Sequence, residues 1–307
     1  MKPLKILVTG AGGFIGKMLS DELELQGHEV IRLQRSNPLG LSNVEVHDLR
    51  DLVKIPANIA NIIERHQPEV TMHLAWMWVT NTQRDNPEHF SVNLTFTQHL
   101  VDAIQKNPSI RFIGIGSQAE YGPHDVELQP DTPCHPIVNY GKAKLAAGIY
   151  ALEKLPGRSA WIRALTNYGP GDDPNKFIPY LLKSYFSGVS PAISPGEQNW
   201  DWLHVKDSVQ ALILAAEHKV TGVHILASEE LCKLKDVSLK LFELVKKQRP
   251  DTPPPLIGAR PYNPNELFLL SGNSRSLRKL TGWKPEISLD EGLRDLVEHW
   301  TTRNPIA

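Results

Sequence analysis

Tyr140 and Lys144 stand four residues apart in the stretch Tyr140-Gly141-Lys142-Ala143-Lys144. On a helix that spacing puts both side chains on one face. An ammonium beside a phenol favours the phenolate and lowers its pKa toward neutrality. A tyrosine so tuned passes a proton to or from a carbonyl or carbinol oxygen. The spacing is common on surface helices, so it carries weight only with a third group. Ser117 supplies one, in Gly116-Ser117-Gln118-Ala119-Glu120-Tyr121-Gly122. It follows the apolar run 110–115, which reads as a strand. At a strand's carboxyl end its hydroxyl could bond the same oxygen. His73 lies in another apolar run and reads as a core histidine. No Cys, His and Asp spacing resembles a metal site, so none is expected.

The elements that must position these groups begin with Leu4 to Val8, a buried parallel strand by length and β-branched content. Gly10-Ala11-Gly12-Gly13-Phe14-Ile15-Gly16 follows. Gly10 permits the tight turn, Gly13 a close backbone approach to a pyrophosphate, and Gly16 close packing of the next helix. The N–H groups at that helix's start would face the phosphates. The spacing is G-x-x-G-x-x-G, not the commoner G-x-G-x-x-G. Residues 14–26 read as an amphipathic helix closed by Gly27, and 29–33 as a second strand, completing a βαβ unit.

An NAD enzyme usually carries an acid about 20 residues past the glycines, on the ribose 2′-OH. Here Gln34-Arg35-Ser36 holds no carboxylate. Arg35 and Ser36 suit a 2′-phosphate, which favours NADP over NAD. The plainer reading of Arg35 is a solvated surface arginine. Asp48 could accept from an adenine amino group or cap the next helix. Further strands are expected at 69–74, 110–115 and 159–165, and helices at 87–106 and 137–155. Asn93 on the first of these helices could bond neighbouring backbone. Alternating strands and helices indicate an α/β fold with a doubly wound parallel (Rossmann) sheet. After Asn167 the chain becomes turn-rich, reading as entry into a smaller C-terminal lobe. The expected division is 1–166 for the nucleotide-binding domain, with returning segments near 200–226, and 167–307 for the substrate lobe.

The 307 residues carry 33 Lys and Arg against 34 Asp and Glu, so there is no basic footprint for nucleic acid. No apolar run approaches the ~20 residues of a membrane span. Met1 leads directly into the first strand, so no targeting segment is read and a cytoplasmic address is expected. Cys134 and Cys232 stand too far apart to suggest a disulfide framework.

Glycine fingerprint, strand-end Ser117 and Tyr140-x-x-x-Lys144, in that order, resemble the extended short-chain dehydrogenase/reductase family. His73-Leu74-Ala75, Tyr121-Gly122, Asn167-Tyr168-Gly169-Pro170-Gly171, residues 201–207 and residues 280–285 extend the likeness to its nucleotide-sugar epimerase, dehydratase and reductase branch. The resemblance implies Ser117, Tyr140 and Lys144 as the catalytic set, with Lys144 also on the nicotinamide ribose. It implies Gly10, Gly13, Phe14, Ile15 and Gly16 around the pyrophosphate, Asp48 and Leu49 beside adenine, and Leu74 and Ala75 along the cleft. Asn167 would contact a sugar nucleotide, with Lys176 and Arg260 helping to hold its diphosphate. It also implies a homodimer through the helices carrying Phe90–Ile104 and Lys144–Leu155.

Two departures narrow the reaction. Where dehydratases of this branch carry acids, this chain has Gln118 and Ala119. Glu120, one place further on, could substitute for them, but it reads rather as a surface carboxylate at the strand edge. Where many relatives place a phosphate-binding arginine, this chain has Trp200, which offers stacking and one N–H donor. The leading expectation is NADP-dependent reduction of a keto group, at C4, on a nucleotide-linked deoxysugar. The alternatives are an epimerase with tightly held cofactor and a non-catalytic NADP-binding regulator.

Overall fold

Alternation of apolar strands with amphipathic helices has one economical solution, a parallel sheet covered on both faces. The computed structural model describes residues 2–37, 40–46, 51 and 55–303 and shows that arrangement. Its strands are β1 (Lys5–Thr9), β2 (Glu29–Gln34), β3 (Val44–Val46), β4 (Val70–His73), β5 (Arg111–Ser117), β6 (Ser159–Ala164) and β10 (Gly222–Leu226). They form one seven-stranded sheet in the order β10-β6-β5-β4-β1-β2-β3. Every pairing within it is parallel, for example Thr9 with Leu33 on one side and with His73 on the other. Strand order reverses between β1 and β4, and a crevice opens at such a switch point beyond the strands' carboxyl ends.

Helices α1 (Phe14–Leu25) and α6 (Val205–Glu217) cover one face; α2 (Ile55–His66), α3 (Thr95–Gln105) and α4 (Asn139–Lys154) cover the other. Helix α1 buries Gly16, Leu19, Ser20 and Leu23, the spacing of a single helical stripe. Its leucines pack with Val209, Leu212 and Ile213 of α6.

A second core gathers Tyr168 of β7 (Thr166–Tyr168), Leu181 of α5 (Phe177–Phe186), Trp202 of β9 (Asn199–His204), Leu241 of α7 (Leu234–Gln248) and Leu293 of α9 (Leu289–Arg303). Strand β9 pairs in parallel with β7 and antiparallel to Leu231–Lys233. Two acids of the 201–207 stretch hold loops. Asp201 accepts from the Ser228 and Glu229 N–H groups, and Asp207 from those of Glu286 and Ile287. Among the described residues, no helix is long and apolar enough to cross a membrane.

Candidate active site

The β1 strand ends in Gly10 at φ +73°, a conformation that L side chains rarely adopt. The turn lies so close to the chain leaving β4 that a Cβ on Gly10 would fall 2.6 Å from the Ala75 nitrogen. Gly16 is tighter: a Cβ there would meet the Gly10 carbonyl oxygen at 2.1 Å. The first turn of α1 therefore rests on the peptide of the glycine turn. No side chain caps α1, whose N-cap residue is Gly13, so its first N–H groups remain for an anion.

A cavity of about 700 Å³ opens here, running from Gly12 and Gly13 past Arg35 and Ser36 to Ala75, Trp76 and Trp78. Gly10, Gly13, Arg35, Ser36, Leu74 and Ala75, far apart in sequence, line this one groove. Arg35 and Ser36 are exposed in it, and the Gln34 amide fixes their turn by donating to the Ser36 carbonyl at 2.7 Å. Phe14 and Ile15 instead turn toward the core beneath α1. Asp48 and Leu49 lie outside the described residues. A glycine turn closed to side chains, opposite a free helix N-terminus, fits a dinucleotide diphosphate. Arg35 and Ser36 then stand where the adenosine end would reach.

Ser117 closes β5 and caps a single turn, 118–120. Its hydroxyl accepts from the Ala119 N–H at 3.2 Å, and the Glu120 carboxylate returns to accept from the Ser117 N–H at 2.7 Å. Gly141 lets α4 press onto this turn, since a Cβ there would meet the Ala119 carbonyl at 2.2 Å. That contact carries Tyr140 toward the Ser117 turn. Burial pushes the Tyr140 phenol above its ordinary value, while Arg84 and the Ser117 hydroxyl pull against that rise. The lowering expected from Lys144 is not what is seen; the cation at the phenol is Arg84. Its guanidinium lies 5.4 Å from the Tyr140 ring centre, and its carbonyl accepts the Tyr140 N–H at 2.8 Å.

Lys144 is buried one turn along α4. Its ammonium donates to the Ile115 carbonyl at 2.6 Å and lies 4.0 Å from the centre of the Trp76 ring. Burial pulls it down to about 7, with the Glu120 carboxylate acting the other way. A lysine with that pKa carries its charge below neutrality and loses it above. Affinity for a nicotinamide cofactor is therefore expected to fall as pH rises through about 7. Titrating NADPH against pH checks this, and Lys144→Met should remove the step.

Ser117, Tyr140 and Lys144 do not themselves line the groove. Trp76 does, and it stands between, edge-on to Tyr140 at 6.3 Å between ring centres. Its indole N–H donates to His89 Nδ1 at 3.2 Å. The Gln83 carbonyl, 3.2 Å from His89 Nε2, can only accept, so the imidazole proton sits on Nε2. Asn93 completes the brace, accepting from the Met77 N–H and donating to the Met77 carbonyl. His89 and Asn93 belong to a π-helical segment, His89–Leu94, that runs into α3; such wide turns recur at functional sites. His73 bonds Thr9 and Thr97 and is wholly buried, and burial lowers its pKa to about 3.

The remaining candidates are dispersed. Lys176 pairs with Asp172 at 2.8 Å and lies 5.3 Å from the Phe14 ring centre, at the edge of the glycine turn. Arg260 is exposed beside Tyr180, to whose hydroxyl it donates at 3.3 Å. Asn167 is buried, its amide N–H donating to the Leu165 carbonyl and its oxygen accepting from the Ser208 hydroxyl. The single donor of Trp200 is spent on the Leu267 carbonyl at 2.7 Å.

The expected surface position of Glu120 is overturned. Its side chain is wholly buried and paired with Arg163 of β6 at 2.7 Å. Arg84, Trp76 and His89 were not anticipated at the site.

With this geometry in place, comparison with known proteins identifies its kind. The chain is similar to dTDP-glucose 4,6-dehydratase 1 of Escherichia coli K12, 26% identical over 98% of this chain and 93% of that protein. It is similar to dTDP-4-dehydro-6-deoxyglucose reductase of Escherichia coli, 25% identical over 95% of this chain and 96% of the other. MoeE5, solved in complex with UDP-glucose and NAD, superposes with a TM-score of 0.83 at 27% identity, covering 98% of this chain and 99% of that one. The family model described as NAD dependent epimerase/dehydratase matches residues 6–227. The chain thus belongs to the NAD dependent epimerase/dehydratase family, the nucleotide-sugar branch of the extended short-chain dehydrogenase/reductases, and is an NAD(P)-dependent oxidoreductase or epimerase.

Proposed function

We propose that the protein reduces a keto group, at C4, of a nucleotide-linked deoxysugar with NADPH. The observation that carries this reading is the fate of the carboxylates beside Ser117. Gln118 and Ala119 offer none, and Glu120 turns into the core and is held by Arg163. A proton donor is therefore present without the neighbouring acid that expulsion of a sugar hydroxyl requires. The reductase and dehydratase relatives and the UDP-glucose and NAD bound to MoeE5 support the substrate class and cofactor type.

Bound at the glycine turn, the cofactor would supply a hydride to the carbonyl carbon. Gly10, Gly13 and the N-terminus of α1 hold the diphosphate, with Leu74 and Ala75 as the opposite wall. Ser117 holds the substrate oxygen through its hydroxyl. Tyr140 protonates that oxygen; its raised pKa keeps the phenol in the donating form at neutral pH. Arg84 stabilises the phenolate left behind. Lys144, when charged, holds the ribose hydroxyls. Lys176, 5.3 Å from the Phe14 ring centre, is the cation that the C-terminal lobe brings beside the glycine turn. Asn167, Trp200 and Arg260 act in the substrate lobe, the first two chiefly by shaping it. The division at residues 166 and 167 belongs to this reading, as does a homodimer through the segment before α3 and α4, which exposes Phe90 and Ile149.

Two measurements test it. NADPH consumption across a panel of nucleotide-linked 4-keto-6-deoxysugars is expected, with net alcohol formed. Stoichiometric NAD released on denaturing fresh protein, with no net consumption, would instead establish the epimerase. For the cofactor, Arg35→Ala should weaken NADPH about 10- to 100-fold, the range for a charge-assisted bond, and leave NADH unchanged. Equal weakening of both would remove Arg35 as the 2′-phosphate ligand.

A further inference from the structure

Glu120 is a carboxylate that the catalytic scheme leaves without a task, yet its surroundings are built for it. It accepts from the Ser117 N–H, from Trp161 Nε1 at 3.0 and 3.1 Å, and from Arg163 Nε at 2.7 Å. Three glycines clear the space. A Cβ on Gly116 would fall 2.5 Å from both Glu120 Oε1 and Trp161 Nε1, one on Gly148 2.7 Å from Trp161 Nε1, and one on Gly114 2.2 Å from the Trp161 ring. Two of these lie on β5 and one on α4, the elements that carry Ser117 and the Tyr140–Lys144 pair. Arg163 is itself held, donating to the Pro130 carbonyl and lying 4.5 Å from the Tyr121 ring centre.

A buried carboxylate is costly unless every oxygen is satisfied, and here each one is. We propose that Glu120 is a positioning residue of the active site, which sets the Ser117 turn from the core side and serves as the buried counter-charge of Lys144. This rests on the reading of Ser117, Tyr140 and Lys144 as the catalytic set. The groups facing Lys144 are few. His73 from β4 and His89 from the π-helical segment are held neutral, chiefly by burial. Tyr140 on α4 is a protonated phenol, and the Trp76 ring is uncharged. Trp161 stands between Glu120 and Lys144: its indole N–H donates to the Glu120 carboxylate at 3.0 Å, and its ring centre lies 5.8 Å from the Lys144 ammonium, while Arg163 faces Glu120 from the side of β6. Without Glu120 the ammonium keeps the Ile115 carbonyl and the rings of Trp76 and Trp161, uncharged groups, to offset its lost hydration.

The test is an NMR titration of the Lys144 side chain in the full-length protein, assigned against Lys144→Arg. A midpoint near 7 is expected in the parent protein. Glu120→Gln should lower it by about one unit or more, a shift a purely structural role would not produce. Since Gln opposite Arg163 leaves a buried charge unpaired, the double variant E120Q/R163M removes both charges. Its midpoint should also fall, and Glu120→Asp should restore the parent value. A midpoint unchanged in whichever variant folds overturns the proposal. The titration needs no substrate. A parent protein inert toward keto sugars would therefore count against the function above, not against this role of Glu120.

Discussion

Tyr140→Phe is expected to lower kcat for keto-sugar reduction by about 10²- to 10⁴-fold, the range for a positioned proton donor. The change removes one oxygen and nothing else. The ring keeps its edge-on contacts with Trp76 and His89 and its place under Arg84. NADPH affinity and melting temperature should therefore match the parent. That separation distinguishes a chemical role from a structural one. Retention of more than about a tenth of the activity would mean another group gives the proton. Arg84, the cation at the phenol, offers a graded companion. Arg84→Met should cost less than Tyr140→Phe, because it removes stabilisation of the phenolate and not the donor.

Gly16→Ala should have the second-largest effect, on both folding and cofactor. The added methyl would sit 2.1 Å from the Gly10 carbonyl oxygen and 2.9 Å from its carbon. Both are backbone atoms of a turn already braced against Ala75 and hydrogen-bonded to the Leu33 carbonyl. No side chain can rotate away, so α1 must lift. Overpacking of this kind costs about 1–3 kcal/mol of stability. Lifting α1 also withdraws the N–H groups aimed at the diphosphate. At about 1.5–3 kcal/mol for each bond to a charged acceptor, losing two weakens NADPH by 100-fold or more. Gly12→Ala is the control within the same loop. Its methyl would meet only the end of the Gln34 side chain, at 3.2 Å, which can swing aside. Thermal melts and NADPH titrations of the two variants decide the matter. Equal behaviour would mean that the close packing of α1 on the turn does not hold the cofactor.

Several features were legible in the chain alone because their physics is local. The order of strands and helices follows from periodicity within each segment and points to a doubly wound parallel sheet; which strands pair, with the switch between β1 and β4, came from the tertiary structure. The glycine turn is legible because only glycine tolerates the φ of Gly10 and the contact at Gly16. The Tyr140 and Lys144 pair is legible because four residues make one helical turn.

What surrounds that pair was decided elsewhere in the chain. Glu120, next to a strand end, reads as exposed until Trp161 and Arg163 close over it from a strand some 40 residues later. Arg84 reaches Tyr140 from a loop 56 positions earlier, and His89 and Asn93 fix Trp76 from a π-helical turn that no spacing rule announces. Asn167 matches a motif in sequence, and folding makes it donate to the Leu165 carbonyl and accept from the Ser208 hydroxyl. Residue types and local spacing determined which groups could do chemistry and on which elements they stand. Only the tertiary structure decided their charges and partners. Burial sets the cost of an ion, and the neighbours that offset it come from strands that no local pattern connects.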